Sequence, residues 1–477
     1  MKQGGLLSAP LYKMYSNDFG CQVNKVDIGL KIGDINISTP VVADDTMLLA
    51  STPADLQTLM NFSHFNSEEN YYKNHPTKSA VTILRQNKEN EDSYYSWKLG
   101  DCPATQRSTS EHLGLIWSQG ELAPKVDNKI ALARRTSFSL TGIGIHEKGI
   151  NATASLGVIL CYVEPRLLTG LNATVLDSSK LKQLDRYYHK LIRQIQGLPM
   201  NIAREATYLF LNALPVVDLL NIRVLEMFGQ ICRLQPGHTY HDLAQRQLAT
   251  KNDKSKSWFI YAAKIGSRYG LNLYAEFKEP TTKEQWKRKT KEAITSTVFK
   301  EMMDDAKQKS TLKWVVNEIL MKDKPHPIWE FSSSPYQAES ARVRLRMLTG
   351  RYGLGLERRV YNRNADIACP ICQTAAEDIV HVLTECVGIC PKSRYLVKRL
   401  QDIYTAHVLQ PPTTEYALTS AILNGVAYHI DVRVKYLTDG AVILPSECYE
   451  EATCITNRIT RLAHERRLKA IEDKELP

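Results

Sequence analysis

One short run of cysteine and histidine constrains the fold of this chain more than any other feature. Its spacing, Cys-x2-Cys-x8-His-x4-Cys, is made by Cys369, Cys372, His381 and Cys386. A Cys-x2-Cys turn directs two thiolates at one ion, and three thiolates with one imidazole form a closed tetrahedral set for Zn²⁺. The sequence therefore predicts a zinc module, with a helix over 376–385 supplying the last two ligands. Reduced core cysteines are the alternative.

Cys390, four residues after Cys386, is a rival for the fourth ligand position. The chain has ten cysteines but no apolar signal segment at Met1 and no apolar run of membrane-spanning length. We therefore expect an intracellular protein, in the cytoplasm or nucleus, with reduced thiols and no membrane contact. Under these conditions the spacing favours zinc over a disulfide framework.

Basic residues are concentrated just before the cysteines. Residues 340–363 contain seven arginines and one acid, Glu357, and the whole chain carries a net charge of +10. Arginine beside tyrosine suits phosphate contact and base stacking. A solvated helix face is the alternative. The candidate nucleic-acid contacts are Arg342, Arg344, Arg346 and Arg351, and the basic tail adds Arg458, Arg461, Arg466, Arg467 and Lys469.

Paired aspartates near the N-terminus form a second candidate site. Asp44 and Asp45 lie between two β-like runs, so both carboxylates are predicted at a hairpin tip. Magnesium prefers such oxygen ligands, and polymerases use two ions to activate the primer hydroxyl and stabilise the leaving pyrophosphate. A plain Asp-rich turn is the alternative.

Four blocks around these aspartates resemble, in order, the reverse transcriptases of non-LTR (LINE-type) retrotransposons. Residues 3–11 resemble the Gln-Gly…Ser-Pro block, and Val42-Ala43-Asp44-Asp45 resembles the aromatic-Ala-Asp-Asp box, with valine in place of the aromatic residue. Residues 74–79 resemble the Asn-Pro-x-Lys-Ser block, and residues 111–114 resemble the primer-grip block. The same family carries a similar Cys-Cys-His-Cys site, which favours Cys386 over Cys390.

The resemblance implies a role for each matching residue. Asp44 and Asp45 would bind Mg²⁺, with Asp44 the direct ligand, and Lys78 would assist the pyrophosphate leaving group. A surface lysine is the alternative for Lys78. Gln3 and Gly4 would position template and nucleotide, and Leu113 and Gly114 would shape the primer grip. The implied partners are an RNA template and a DNA primer, with target DNA as a further candidate.

The expected architecture is α+β: a partial reverse-transcriptase palm, a mostly helical thumb and connector, and a small zinc-binding module. The family palm takes a further aspartate from a strand upstream of the Gln-Gly block, and Asp18 cannot replace it. We therefore expect a polymerase fragment that is inactive alone. A non-catalytic, zinc-stabilised nucleic-acid-binding protein from a decayed element is the alternative. The predicted divisions are 1–120 (palm), 121–250 (thumb-like), 251–340 (connector and linker), 341–400 (basic zinc module) and 401–477 (tail).

Overall fold

The computed structural model describes most of the chain. The described residues are 7–26, 28–42, 45–75, 77–84, 95–113, 115–118, 126–315, 324–330, 332–406, 414–424 and 446–475. The chain divides into two compact units. The first comprises Met1–Lys129, Leu168–Ser178 and Leu220–Thr290, and the second comprises Ile130–Leu167, Ser179–Leu219 and Lys291–Pro477.

The N-terminal part of the first unit mixes helices with short strands. Its helices are α1 (Ser8–Lys25) and α2 (Pro53–Glu69). Its strands are β1 (Lys31–Ile32), β2 (Ile35–Asn36), β3 (Val41–Val42), β4 (Asp45–Thr46), β5 (Ala80–Val81), β6 (Trp97–Leu99), β7 (Cys102–Gln106), β8 (Thr109–His112) and β9 (Leu115–Ser118). β1–β2, β3–β4 and β8–β9 are antiparallel pairs, and β7 lies between β5 (parallel) and β6 (antiparallel).

Helix α2 organises this part of the chain. The Thr52 hydroxyl accepts a hydrogen bond from the Asp55 backbone N–H at 3.1 Å, and Pro53 occupies the first helical turn, so the helix start is encoded locally. Its Leu59 packs with Phe19 and Val23 of α1, and its Met60 packs with the strand residues Val81 and Trp97. The predicted mixture of helix and hairpin in residues 1–120 is confirmed.

From residue 126 onward the described regular structure is helical. The helices are α3 (Val126–Ser139), α4 (Ala152–Val158), α5 (Glu164–Leu168), α6 (Ser178–Ile195), α7 (Arg204–Leu209), α8 (Val216–Cys232), α9 (Thr239–Thr250), α10 (Trp258–Arg268), α11 (Leu273–Lys278), α12 (Lys283–Lys307), α13 (Pro327–Glu330), α14 (Pro335–Leu348), α15 (Gly355–Tyr361), α16 (Cys390–Ala406), α17 (Glu415–Asn424) and α18 (Ser446–Glu475). Two π-helical turns occur at Ile159–Val163 and His381–Glu385. No helix in the described ranges is long and apolar enough to cross a membrane.

The prediction of a solvated linker before α14 is wrong for the residues that the structure describes, because they are packed into the second unit. Its sequence is rich in proline and serine, but His326, Ile328 and Trp329 are completely buried. The Trp329 indole N–H donates to Gln196 Oε1 at 3.3 Å, and the Asn151 side chain donates to the Trp329 carbonyl oxygen at 2.7 Å. Proline and serine here shape a packed turn of the second unit rather than a solvated spacer.

Helix α14 begins at a capping box that the same segment supplies. The Ser334 hydroxyl accepts from the Gln337 backbone N–H at 3.2 Å, and the Gln337 side chain accepts from the Ser334 N–H at 3.0 Å. Pro335 fixes the first helical residue. The helix then packs against α17 and α18, so most of its side chains are buried.

Candidate metal centre and nucleic-acid interface

The four predicted zinc ligands come together in the second unit. Their ligand atoms, from Cys369, Cys372, His381 and Cys386, all lie within 4.8 Å of one another. The Cys369 and Cys386 Sγ atoms are 3.9 Å apart, and Cys372 Sγ is 3.3 Å from His381 Nε2. Ideal tetrahedral zinc, with bonds of about 2.3 Å to sulfur and 2.0–2.1 Å to nitrogen, separates such pairs by about 3.8 and 3.6 Å. The cluster could therefore hold a zinc ion.

Local backbone structure explains why the first two cysteines converge. The Gln373 N–H donates to the Cys369 carbonyl oxygen at 2.9 Å, which closes a turn, and the Cys369 N–H donates to the Ala375 oxygen at 2.9 Å. Gln373 has a φ of +60°, the left-handed conformation that such a turn requires. An isolated antiparallel bridge pairs Ala368 with Ala376 and fixes the base of this loop.

The other two ligands lie at the two ends of a π-helical turn. The predicted helix over 376–385 is shorter than expected: helical backbone starts at Ile379, and His381–Glu385 form a π turn. The Asp378 carboxylate accepts from the His381 N–H at 2.8 Å, and the Cys386 N–H donates to the His381 carbonyl oxygen at 2.8 Å. The wider turn places Cys386 beside His381 instead of carrying it around the helix.

Groups outside the ligand set orient it. The Glu385 carboxylate is 3.6 Å from His381 Nδ1, on the side of the ring away from the cluster, while Nε2 is 3.3 Å from Cys372 Sγ. Burial opposes ionisation of Cys372, but hydrogen bonds from the Thr374 hydroxyl and from the Thr374 and Ala375 N–H groups outweigh it and lower its pKa to about 6. Burial raises the pKa of Cys386 to about 12. Cys372 is thus ionised at neutral pH before a metal binds, whereas Cys386 needs a nearby cation to ionise.

Cys390, the rival ligand, is not part of this group in the described chain. It begins α16, where its N–H donates to the Cys386 carbonyl oxygen at 2.8 Å, and burial raises the pKa of its thiol. The preference for Cys386 is confirmed by the geometry.

The predicted aspartate hairpin is present as β3–β4. Val41 pairs with Thr46 and Val42 pairs with Asp45, and the Asp45 side chain is exposed. Asp44, Gln3, Gly4 and Gly114 lie outside the described residues. Lys78 is exposed on a turn before β5. The β3–β4 pair has no third partner among the strands that the structure describes.

Leu113 occupies the tip between β8 and β9 in a strained conformation. Its φ is +52°, a backbone state that costs a branched residue about 1–3 kcal/mol. The side chain is 51% exposed. The predicted primer-grip block is thus a hairpin whose leucine points outward, and its role in holding a primer stays a prediction.

The prediction that the arginines of α14 contact phosphate is wrong for Arg342 and Arg344, because both are buried. Arg342 Nη2 donates to the Gly149 and Ile150 carbonyl oxygens at 2.9 Å each. Arg344 is fully buried, and its Nη1 donates to the Thr456 hydroxyl of α18. These guanidinium groups are unavailable to solvent-borne phosphate.

Arg346 and Arg351 are half-buried and already bonded. Arg346 Nε donates to the Gly197 carbonyl oxygen at 2.8 Å. The Arg351 guanidinium lies 5.1 Å from the ring centre of Tyr361 and donates to its hydroxyl. Arg346 therefore acts within the fold, while Arg351 and Tyr361 form a pair at the surface.

Replacing Arg344 should separate a structural role from a binding role. Burial lowers its pKa to about 9, so the group still carries a charge at neutral pH without a carboxylate partner among the described residues. We expect Arg344→Met to leave the free energy of unfolding unchanged or higher, because a buried charge is removed at similar volume. Arg344→Ala should lower it by about 2–5 kcal/mol through a cavity. Urea unfolding measures the free energy of unfolding of both variants. A loss of nucleic-acid affinity in a stably folded Arg344→Met variant would show that Arg344 does contribute to binding.

A buried ion pair beside the candidate zinc site is not evident from the sequence. Glu377, between the second and third zinc ligands, is fully buried and accepts from Arg467 Nε at 2.6 Å. The sequence makes Arg467 a candidate nucleic-acid contact of the basic tail, which is wrong because its side chain is buried and bonded within the fold. The two residues are 90 positions apart in the chain, so no local spacing could have paired them.

The exposed basic surface of the module lies on α15 and the turn after it. Arg358, Arg359 and Arg363 are exposed, and Val360 and Tyr361 are 77% and 64% exposed. Gly355, the first residue of α15, donates its N–H to Glu377 Oε2 at 2.7 Å, so the zinc loop holds the start of this helix. Arg394, Tyr395 and Lys398 form a second exposed basic and aromatic group on α16.

No protein-family model matches this chain, and no curated protein sequence is significantly similar to it.

Proposed function

We propose that this chain binds nucleic acid through a zinc-stabilised module and derives from a LINE-type reverse transcriptase. The observation that carries the proposal is the Cys₃His cluster, because its four ligand atoms lie within 4.8 Å of one another and three thiolates with one imidazole can form a closed tetrahedral site. A closed site leaves no open coordination position, so the metal would stabilise structure rather than perform chemistry. What it would stabilise is the exposed basic helix α15.

The charge and ring distribution on α15 supports single-stranded nucleic acid as the ligand. Arg358, Arg359 and Arg363 offer exposed guanidinium groups for phosphate, and Tyr361 offers a ring face for base stacking. Two of these arginines also have contacts within the module: Arg358 Nη2 lies 3.9 Å from Glu377 Oε2, and Arg359 Nη1 donates to the Ala365 carbonyl oxygen at 3.1 Å. This surface replaces the buried arginines of α14 as the proposed contact region.

The exposed carboxylate of Asp45 supports a second function, in RNA-directed DNA synthesis. A hairpin that carries adjacent aspartates would provide one side of a two-metal site with Mg²⁺. On this proposal the chain supplies part of the palm, while the zinc module holds the RNA template, the DNA primer or target DNA. The resemblance of the four sequence blocks supports this lineage.

A salt titration tests the binding surface. Single-stranded oligonucleotide binding should weaken steeply with salt, because neutralising phosphates releases counterions. Replacing Arg358, Arg359 and Arg363 by alanine should lower affinity at every salt concentration. It should also reduce the slope of log K against log salt by about 0.7 for each phosphate that the variant no longer neutralises. Fluorescence anisotropy from low to moderate salt gives both quantities.

A matched control removes the same charge from another exposed helix. Lys182, Arg186 and Lys190 of α6 are exposed in the same unit, and their triple alanine variant should keep the wild-type slope. Equal losses of affinity in the two triple variants would show that net charge, rather than α15, determines binding.

A further inference from the structure

The fully buried carboxylate of Glu377 connects the zinc loop to the C-terminal helix. Oε1 accepts from Arg467 Nε at 2.6 Å, and Oε2 accepts from Arg467 Nη2 at 3.2 Å. The same Oε2 accepts from the Gly355 N–H at 2.7 Å, and the Glu377 backbone N–H donates to the Ile367 oxygen at 2.6 Å. One residue of the loop therefore contacts both α15 and α18.

Arg467 fixes α18 to the segment before α15 through further contacts. Its Nη2 donates to the Gly353 carbonyl oxygen at 2.7 Å, and its guanidinium carbon lies 5.2 Å from the Tyr352 ring centre. The Tyr352 hydroxyl is 2.6 Å from Nδ1 of His464, one turn earlier on α18. These bonds are directed and mostly buried, so they form only when the loop and the helix are both in place.

We propose that Arg467 makes α18 part of the zinc-binding unit, so that zinc occupancy and docking of the C-terminal helix are thermodynamically coupled. The inference rests on the proposed zinc site. Glu377 lies between the ligands Cys372 and His381, so the metal closes the loop that holds its carboxylate. Without that closure Arg467 loses the acceptor that compensates its buried charge. A coupling of this kind is reciprocal: helix docking must strengthen zinc binding by the same factor by which zinc strengthens docking.

Zinc affinity of the full chain, measured by competition with a chromophoric chelator, tests this coupling. We expect Arg467→Met to weaken zinc binding roughly 5- to 150-fold, the usual range for coupled sites. Arg461→Met is the matched control. Arg461 lies on the same helix but has no described contact with the zinc loop. Its Nε donates to Glu465 Oε1 at 2.7 Å, and its guanidinium carbon lies 3.8 Å from the ring centre of Tyr336. It should keep the wild-type zinc affinity.

Rescue and exchange measurements separate coupling from loss of fold. Glu377→Gln combined with Arg467→Met removes both charges at similar shape, so zinc affinity should recover relative to Arg467→Met alone. Where Arg467→Met yields too little folded protein, Arg467→Lys gives the same comparison, because lysine keeps the charge but loses the bidentate geometry. In wild type, zinc removal should raise amide exchange in residues 460–470 of α18.

Three results would overturn the inference. Equal zinc affinity in wild type and Arg467→Met would refute coupling, as would an equal loss in the Arg461 control. Unchanged exchange of α18 on zinc removal would refute it as well. None of these three results would contradict the proposed zinc site. A wild-type chain that binds no zinc would refute the site itself.

Discussion

Purified protein should contain one Zn²⁺ per chain, and Cys372→Ser should lose it. Structural zinc contributes roughly 10–16 kcal/mol of binding free energy in small zinc modules, about as much as the whole stability of a typical domain. Serine replaces a thiolate that hydrogen bonds already hold in its charged form. Residues 365–395 of the variant should therefore be unprotected, with metal analysis giving the content and amide exchange giving the loss of structure.

Cys390→Ser is the control for this experiment. The two cysteines lie in the same module, but Cys390 is not in the cluster. It should retain a full equivalent of zinc and normal protection. Equal zinc contents in the Cys372 variant and wild type would contradict the assignment. A loss of zinc in the Cys390 variant would show that Cys390, rather than Cys386, is the fourth ligand.

The zinc ligands could be predicted because their information is local. The Cys-x2-Cys turn requires only a few residues, and it formed as the spacing indicated. Helix starts such as Thr52-Pro53 and Ser334-Pro335 are local for the same reason, since the capping bonds span three residues. Residue order alone therefore specifies these parts of the fold.

The role of the α14 arginines could not be predicted, because their partners are distant in the chain. Arg344 bonds to Thr456, 112 residues later, and Arg342 bonds to Gly149, 193 residues earlier. The two-residue spacing of Arg342, Arg344 and Arg346 does indicate that they cannot all face solvent. In a helix such residues point in different directions, so three alternating arginines cannot form one solvated stripe. Which faces become buried depends on how α17 and α18 pack around α14.

The same distinction applies to the aspartate hairpin. The two β-like runs on either side of Asp44-Asp45 predict a hairpin, and the β3–β4 pairing is observed. Whether the hairpin can take part in a two-metal active site depends on a second strand that carries another carboxylate. No pattern within Val41–Thr46 determines that strand.

If the chain has the proposed polymerase lineage, residues 1–477 alone should give no measurable primer extension. Two-metal transfer needs carboxylates on both sides of the ion pair, because one hairpin cannot complete both coordination shells. On the proposed lineage Asp44 and Asp45 would provide one side, and no described strand pairs with β3–β4 to provide the other. The β3–β4 pair also has both edges without a described partner strand, so its amides should exchange quickly.

Fusing the fingers and upstream palm segment of a LINE-type reverse transcriptase to residues 1–477 should restore Mg²⁺-dependent DNA synthesis on an RNA template. In that fusion Asp44→Ala should lower the rate about a thousand-fold or more, since losing a metal ligand removes several kcal/mol of transition-state stabilisation. Asp18→Ala is the control. Asp18 is an exposed carboxylate on α1 with no expected metal role, so its removal should leave the rate unchanged. Robust extension by residues 1–477 would mean that another carboxylate completes the site. A fusion that binds template but makes no DNA would instead favour a decayed, binding-only protein, in which only the zinc module retains its function.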